Sequence, residues 1–241
     1  MSAFVIWRFT LQNKAIILLS GGIDSATALA IATDRGYETY ALTVDYGQRH
    51  KIELSSADLM AKHFKVCRHI TLKLDLRAFG GSALTDNIEI PKGEPFSVND
   101  FNIPSTYVPA RNTIMLSMAL SWSEVLGARH IFIGANAVDY SGYPDCRPEF
   151  IESFQSLANL ATKDGVEGRH FTIEAPLISM SKAQIIQLGI KLGVDYSMTH
   201  SCYDPSKEGL SCGSCDSCLI RKNGFIEANY PDPTTYINKN G

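Results

Sequence analysis

The chain lacks the lysine that would make its glycine-rich loop a Walker A loop. Ser20-Gly21-Gly22-Ile23-Asp24-Ser25 follows an apolar run at 15–19, but no lysine follows Gly22. The Gly-x-Gly-x-x-Gly turn of dinucleotide-binding proteins is missing too. Positive charge is not in excess. The 22 Lys+Arg stand against 25 Asp+Glu for a net charge of −3, which argues against a broad nucleic-acid surface. No apolar run reaches the length of a membrane span. Phe4-Val5-Ile6-Trp7 is interrupted by Arg8 with no small-residue cleavage site after it, so it does not read as a signal peptide. Internal repeats and low-complexity tracts are absent. The expected compartment is the cytoplasm, where the 6 cysteines are not expected to form disulfides.

What is present is an alternation of strand-like and helix-like patterns in a chain of 241 residues, 45% of them apolar. Strands are expected at 15–19, 39–44, 66–72, 130–135 and 170–175. Helices are expected at 24–35, 49–65, from Pro109 to 125, at 148–161, and at 181–192 capped by Ser179 or Ser181. The Pro109 helix has Ile114, Met115, Met118, Ala119 and Trp122 on one side and Leu116 and Leu120 on the other, so it is expected to be deeply buried. The fold class is α/β, a Rossmann-like parallel sheet with helices on both faces. Residues 1–13 read as an N-terminal extension, 14–193 as the nucleotide-binding domain and 194–241 as a small metal-binding region. The stretch 79–107 holds Gly and Pro but no periodicity, which fits either a functional lid or a disordered insertion.

The turn at Ser20–Ser25 directs backbone N–H groups and a helix N-terminus at one spot, which suits phosphate. In open α/β sheets ligands sit beyond the carboxyl ends of the strands. That loop, Asp45-Tyr46-Gly47-Gln48 and residues 136–147 should meet there. Asp24 suits Mg²⁺ as a hard oxygen donor, or a helix N-cap, or both.

Cys202, Cys212, Cys215 and Cys218 follow the spacing Cys-x9-Cys-x2-Cys-x2-Cys. Four thiolates at such turns close a structural zinc site, the expected occupant; an iron–sulfur cluster is the alternative. His200 is near enough to replace a ligand and reads instead as a neighbour of the site. Cys67 reads as a small core residue in a strand. Cys146, between Asp145 and Arg147, is either a nucleophile or, as preferred here, part of a substrate wall.

Residues 136–147 read Asn-Ala-Val-Asp-Tyr-Ser-Gly-Tyr-Pro-Asp-Cys-Arg. Carboxylates, tyrosines and an arginine around Gly142 and Pro144 suit a planar, hydrogen-bonding substrate, although an ordinary surface turn has the same turn-forming pairs.

Ser-Gly-Gly-x-Asp-Ser resembles the loop of the PP-loop ATP pyrophosphatases, which cleave ATP between the α and β phosphates. With Val108-Pro109-Ala110-Arg111-Asn112, Asn136 to Ile151 and the four C-terminal cysteines, the chain resembles the 7-cyano-7-deazaguanine synthase family from Ala15 onward. The N-terminus departs from that pattern, since about a dozen residues precede the first strand.

The resemblance implies a ligase that converts 7-carboxy-7-deazaguanine and ammonia to the nitrile at the expense of ATP, with Mg²⁺ and Zn²⁺. It implies catalytic roles for Ser20, Gly21, Gly22, Asp24 and Ser25. It implies ATP contacts at Leu18, Leu19, Ser20 to Ala28 (with Ile23, Ala26 and Thr27 among them) and Val44. Substrate contacts are implied at Arg111, Asn112, Asn136, Asp139, Tyr140, Ser141, Tyr143, Asp145, Arg147 and Lys182, and Arg111 also fits a plain salt-bridge role. Homodimerisation is implied, with no stable nucleic-acid partner and no membrane. Other readings are a tRNA-modifying adenylating enzyme, an amide-forming synthetase, or a zinc-ribbon protein that binds nucleotide without chemistry.

Overall fold

Hydrophobic strands separated by amphipathic helices build one parallel sheet. The computed structural model describes residues 13–93, 103–139 and 142–237. The strands are β1 (Lys14–Leu18), β2 (Glu38–Asp45), β3 (Arg68–Lys73), β4 (His130–Phe132) and β5 (Thr172–Glu174). They lie in the order β3-β2-β1-β4-β5, every neighbouring pair parallel. In register, Ile16 of β1 sits between Tyr40 of β2 and Ile131 of β4.

Helices cover both faces: α1 (Ile23–Asp34), α2 (Ile52–His63), α3 (Arg111–Leu126), α4 (Pro148–Ala161), α5 (Lys163–Val166), α6 (Lys182–Lys191) and α7 (Asp216–Ala228). Strand alternation divides the core. Ile16, Leu18, Leu42 and Ile131 pack with Leu116 and Ala119 of α3 and Phe154 of α4. Ala15, Ile17, Ala41 and Phe132 pack with Leu29 of α1, Met60 of α2, Ile185 of α6 and Phe225 of α7. Chain order turns back between β1 and β4, and a crevice opens beyond their carboxyl ends at that switch point.

Several expectations need correction. The third helix starts at Arg111, because Ala110 before it is left-handed (φ 54°). Nor is that helix deeply buried: Leu120 is only half-buried and Val125 is 81% exposed. The second helix begins at Ile52, three residues inside the expected start at Arg49. Cys67 is exposed in a bend before β3. Asp24 is not an N-cap; Gly22 is, and Asp24 falls in the first turn of α1. Ser181 caps α6 with a full capping box to Gln184, as one of the two expected serines. Helix α7 has no counterpart in the expected elements. Within 79–107, the described part packs closely, with Ala83, Leu84 and Ile90 buried and Lys92 Nζ 2.6 Å from Asp204 Oδ2.

Candidate active site

The phosphate-type loop is drawn tight by its own side chains. Ser25 Oγ accepts the Ser20 N–H at 3.1 Å and donates to the Gly22 carbonyl at 3.2 Å. Gly21 takes φ +87°, and a Cβ there would lie 2.2 Å from the Glu53 carbonyl of α2, so only glycine lets helix and loop touch. The Gly21 carbonyl accepts the His200 N–H at 2.9 Å, which ties the C-terminal region to the loop. Gly134, just beyond β4, meets the same loop: a Cβ there would lie 2.9 Å from Ser25 N.

Above the loop is a cavity of about 220 Å³. Its wall includes Leu18, Leu19, Ser20, Gly22, Ile23, Asp24, Ser25 and Val44. Ala26, Thr27 and Ala28 lie instead in the core; the Thr27 hydroxyl is 2.7 Å from the Tyr196 hydroxyl and donates to the Ile23 carbonyl.

Lys182, at the start of α6, reaches into the cavity with its side chain 5% exposed. Its ammonium stands 2.5 Å from Asp24 Oδ1 and 3.1 Å from Asp139 Oδ2. Burial raises the Asp139 carboxyl above the usual carboxylate range, with Lys182 pulling the other way. Helix α7 crosses the stem of Lys182 so closely that a Cβ on Gly224 would fall 2.3 Å from Lys182 Cγ.

Arg111 lines the cavity too, its guanidinium 5.8 Å from the Tyr46 ring centre. Asn112, Asn136, Tyr143 and Cys146 line the same space. The two asparagines are committed to main chain: Asn136 Nδ2 donates to the Leu177 and Met180 carbonyls, and Asn112 Nδ2 to the Asp145 carbonyl. Asp145 does not line the cavity; its Oδ2 accepts the Asn112 N–H at 3.0 Å and so fastens the loop to α3. Burial raises its carboxyl as well. Arg147 is exposed ahead of α4. Tyr140 and Ser141 lie outside the described residues. Burial pushes the Cys146 thiol up to about 12, the opposite of an activated nucleophile.

Glu53, Leu84 and Tyr203 are among the cavity residues that the sequence did not single out, while His200, expected beside the cysteines, lines the cavity as well. Asp45-Tyr46-Gly47-Gln48 was expected here, and Tyr46 and Gln48 do line the wall. Glu53 sits in the first turn of the following helix, where the sequence offers only a charged residue on an amphipathic face.

Beside the cavity, Cys202, Cys212, Cys215 and Cys218 are buried, and their sulfurs all lie within 4.8 Å of one another. Tetrahedral zinc with Zn–S of about 2.3 Å needs sulfurs about 3.8 Å apart, so the set fits. Backbone N–H groups point at the sulfurs, from Cys212 to Cys202 at 3.2 Å and from Asp204 to Cys202 at 3.3 Å, as thiolate ligands require. Cys215 caps α7 and Cys218 is in its first turn. Farther along α7, buried Arg221 donates to Thr199 Oγ1 at 2.9 Å, to the Tyr196 carbonyl at 3.0 Å and to Asp232 at 3.0 Å. His200 lines the cavity and is outside the sulfur cluster.

The family model described as queuosine biosynthesis protein QueC matches residues 14–229. A 7-cyano-7-deazaguanine synthase of Desulfatibacillum aliphaticivorans is 62% identical over 94% of this chain and 97% of its own. The protein of that name from Myxococcus xanthus is 58% identical over 93% of this chain and 97% of its own. Among solved structures, an NMN synthetase from Francisella tularensis covers 96% of this chain and 91% of its own at 18% identity, with a TM-score of 0.48.

Proposed function

The chain belongs to the QueC family of queuosine biosynthesis proteins, and from that premise we propose that it is an ATP-dependent ligase making 7-cyano-7-deazaguanine. Its substrates on this reading are 7-carboxy-7-deazaguanine, ammonia and ATP. The observation that carries the reading is one cavity lined together by the Ser20–Ser25 loop, Lys182 and Arg111.

A carboxylate is a poor electrophile and has to be activated. Its oxygen attacks the α-phosphate of ATP, and pyrophosphate leaves. Ammonia then displaces AMP to give the amide. A second ATP adenylates the amide oxygen, and loss of AMP gives the nitrile. Charge builds on the leaving pyrophosphate in both activations. The N–H groups of the loop with Ser20, Gly21, Gly22 and Ser25 are the donors assigned to it, and Leu18, Leu19, Ile23 and Val44 frame the nucleotide.

Lys182 is placed to leave its carboxylate partners for phosphate when ATP binds. Arg111 is assigned the substrate carboxylate, which it grips bidentately. Tyr143 and the Asp139 segment, with Tyr140 and Ser141, take the planar base. Asn112 and Asn136 shape that wall, and Asp145 supports it from behind through Asn112. Mg²⁺ accompanies ATP, and the Asp24 carboxylate is the hard oxygen donor that suits it. Zn²⁺ is assigned to the four cysteines as a structural ion.

The chain is further proposed to act in the cytoplasm as a homodimer without a nucleic-acid partner. Large exposed apolar side chains, Val125 on α3 and Leu157 and Leu160 on α4, support self-association. No helix among the described residues is long and apolar enough to cross a membrane. Residues 14–193 are proposed as the ATP domain and 194–241 as the zinc region; helix α7 of the latter packs on α6 of the former.

The test is direct. Purified protein with ATP, ammonium and the 7-carboxy compound should release AMP and pyrophosphate and form the nitrile. Hydrolysis to AMP without any nitrile would reject the substrate assignment.

A further inference from the structure

Glu53 lines the cavity from the first turn of α2, and the steps above give it no part. Its surroundings hold it in place. Gln48 Oε1 accepts the Tyr46 N–H at 2.9 Å, which turns the Gln48 amide NH₂ toward the Glu53 carboxylate. Arg111 faces that carboxylate from α3, and Tyr46 adjoins both. Asp45, at the end of β2, is the other charge acting on it, and Lys51 holds Asp45 at 3.2 Å. Other titratable groups on the cavity wall include His50, His200, Tyr143 and Tyr203. Burial outweighs Arg111 and Gln48 and pushes the Glu53 carboxyl up to about 7. A carboxyl tuned close to the working pH both takes and returns a proton effectively.

The proposed reaction needs such a group. When ammonia attacks the acyl-adenylate, a C–N bond forms and the C–O bond to AMP breaks. The electron pair leaves with AMP, and the new nitrogen must shed a proton. Nitrile formation again breaks a C–O bond to AMP while nitrogen loses its remaining protons. Two other groups of the cavity, Lys182 and Cys146, suit this poorly. Lys182 is held by Asp24 and Asp139, and the Cys146 thiol stays protonated. Arg111, assigned the substrate carboxylate, brings the reacting carbon beside Glu53.

We propose that Glu53 is the proton acceptor for nitrogen in the amide-forming and nitrile-forming steps. The proposal rests on the functional reading above, and its test separates the two. Rapid-quench assays of wild type, Glu53→Gln and Glu53→Asp measure pyrophosphate from acid and ATP without ammonium. They then measure amide and nitrile with ammonium, from about pH 6 to about pH 9 at constant free ammonia.

Wild type should show the pyrophosphate burst and an ammonia-dependent rate that rises through about pH 7. E53Q should keep the burst within about threefold, lose about 100-fold or more in the ammonia-dependent rate, and lose the rise with pH. E53D keeps a carboxylate, so it should keep the rise at a lower rate. E53Q with a wild-type profile, a flat profile in folded E53D, or loss of the burst itself in folded E53Q overturns the assignment. A wild-type protein without any burst overturns the functional reading instead.

Discussion

Lys182 Nζ lies 2.5 Å from Asp24 Oδ1, which joins the start of α6 to the first turn of α1 in the wall of the cavity. The sequence separates these residues by 158 positions. The pair is buried on the lysine side, with 5% side-chain exposure, and Asp139 shares the same ammonium. Removing the lysine therefore leaves two carboxylates uncompensated. Lys182→Met should lower stability by about 3–5 kcal/mol, as for other buried pairs that lose one partner. It should slow AMP formation by about 100-fold or more, because a cation aimed at developing phosphate charge is lost. Urea unfolding and a pyrophosphate-release assay check both.

Gly224 gives a sharper test of how that lysine is held. Ala normally stabilises a helix interior over Gly by about 0.5–1 kcal/mol. Here the added Cβ would sit 2.3 Å from Lys182 Cγ and 2.8 Å from its Cβ. Gly224→Ala should lower Tm in the wild-type background and raise it in Lys182→Gly, where both the Cγ and the Cβ that it meets are gone. The same sign in both backgrounds would show that the close approach is unimportant.

The cysteine centre should be felt at the same lysine. Cys215 caps α7, Cys218 is in its first turn, and α7 carries both Gly224 and Arg221. Stripping the metal frees the N-terminal end of this helix. One zinc per chain is expected by elemental analysis, and its removal by a strong chelator should lower Tm and AMP formation together. Chelated protein with unchanged Tm would contradict a structural metal. A brown protein rich in iron would support the iron–sulfur alternative.

Glu53 makes stability depend on pH. Its carboxyl is raised from 4.5 to about 7 in the folded chain. Between those values the folded state binds more protons than the unfolded state, so stability falls as pH rises through that window. Glu53→Gln removes this contribution. At about pH 8 the variant should be more stable relative to wild type than at about pH 4, as read from paired denaturant melts.

Much of this was legible in the residues because it rests on local chemistry. The apolar run before Ser20 had to be a buried strand, and the adjacent glycines had to turn into a helix. The cysteine spacing alone fixed a ligand set whose sulfurs do converge. What was hidden depends on long-range approach. Gly224 carries no sequence mark of its role, which comes only from Lys182 lying against it. Glu53 reads as a solvated helix charge until α2 packs on Gly21 and closes it into the cavity. The start of α3 was misplaced because Pro109 signals a helix start, while the left-handed backbone of Ala110 has no sequence mark. Cys67 was misread because β3 sits at the sheet edge, where a strand-like pattern does not ensure burial.

The central claim is that one cavity activates the same carbon first as an acid and then as an amide. The measurement that tests it most directly is the ratio of AMP to nitrile in a single-enzyme reaction with ATP, ammonium and the 7-carboxy compound. The account predicts two AMP per nitrile, with amide appearing and disappearing as an intermediate, and with synthetic amide needing only one ATP. A ratio of one, or synthetic amide that is not converted, would contradict it.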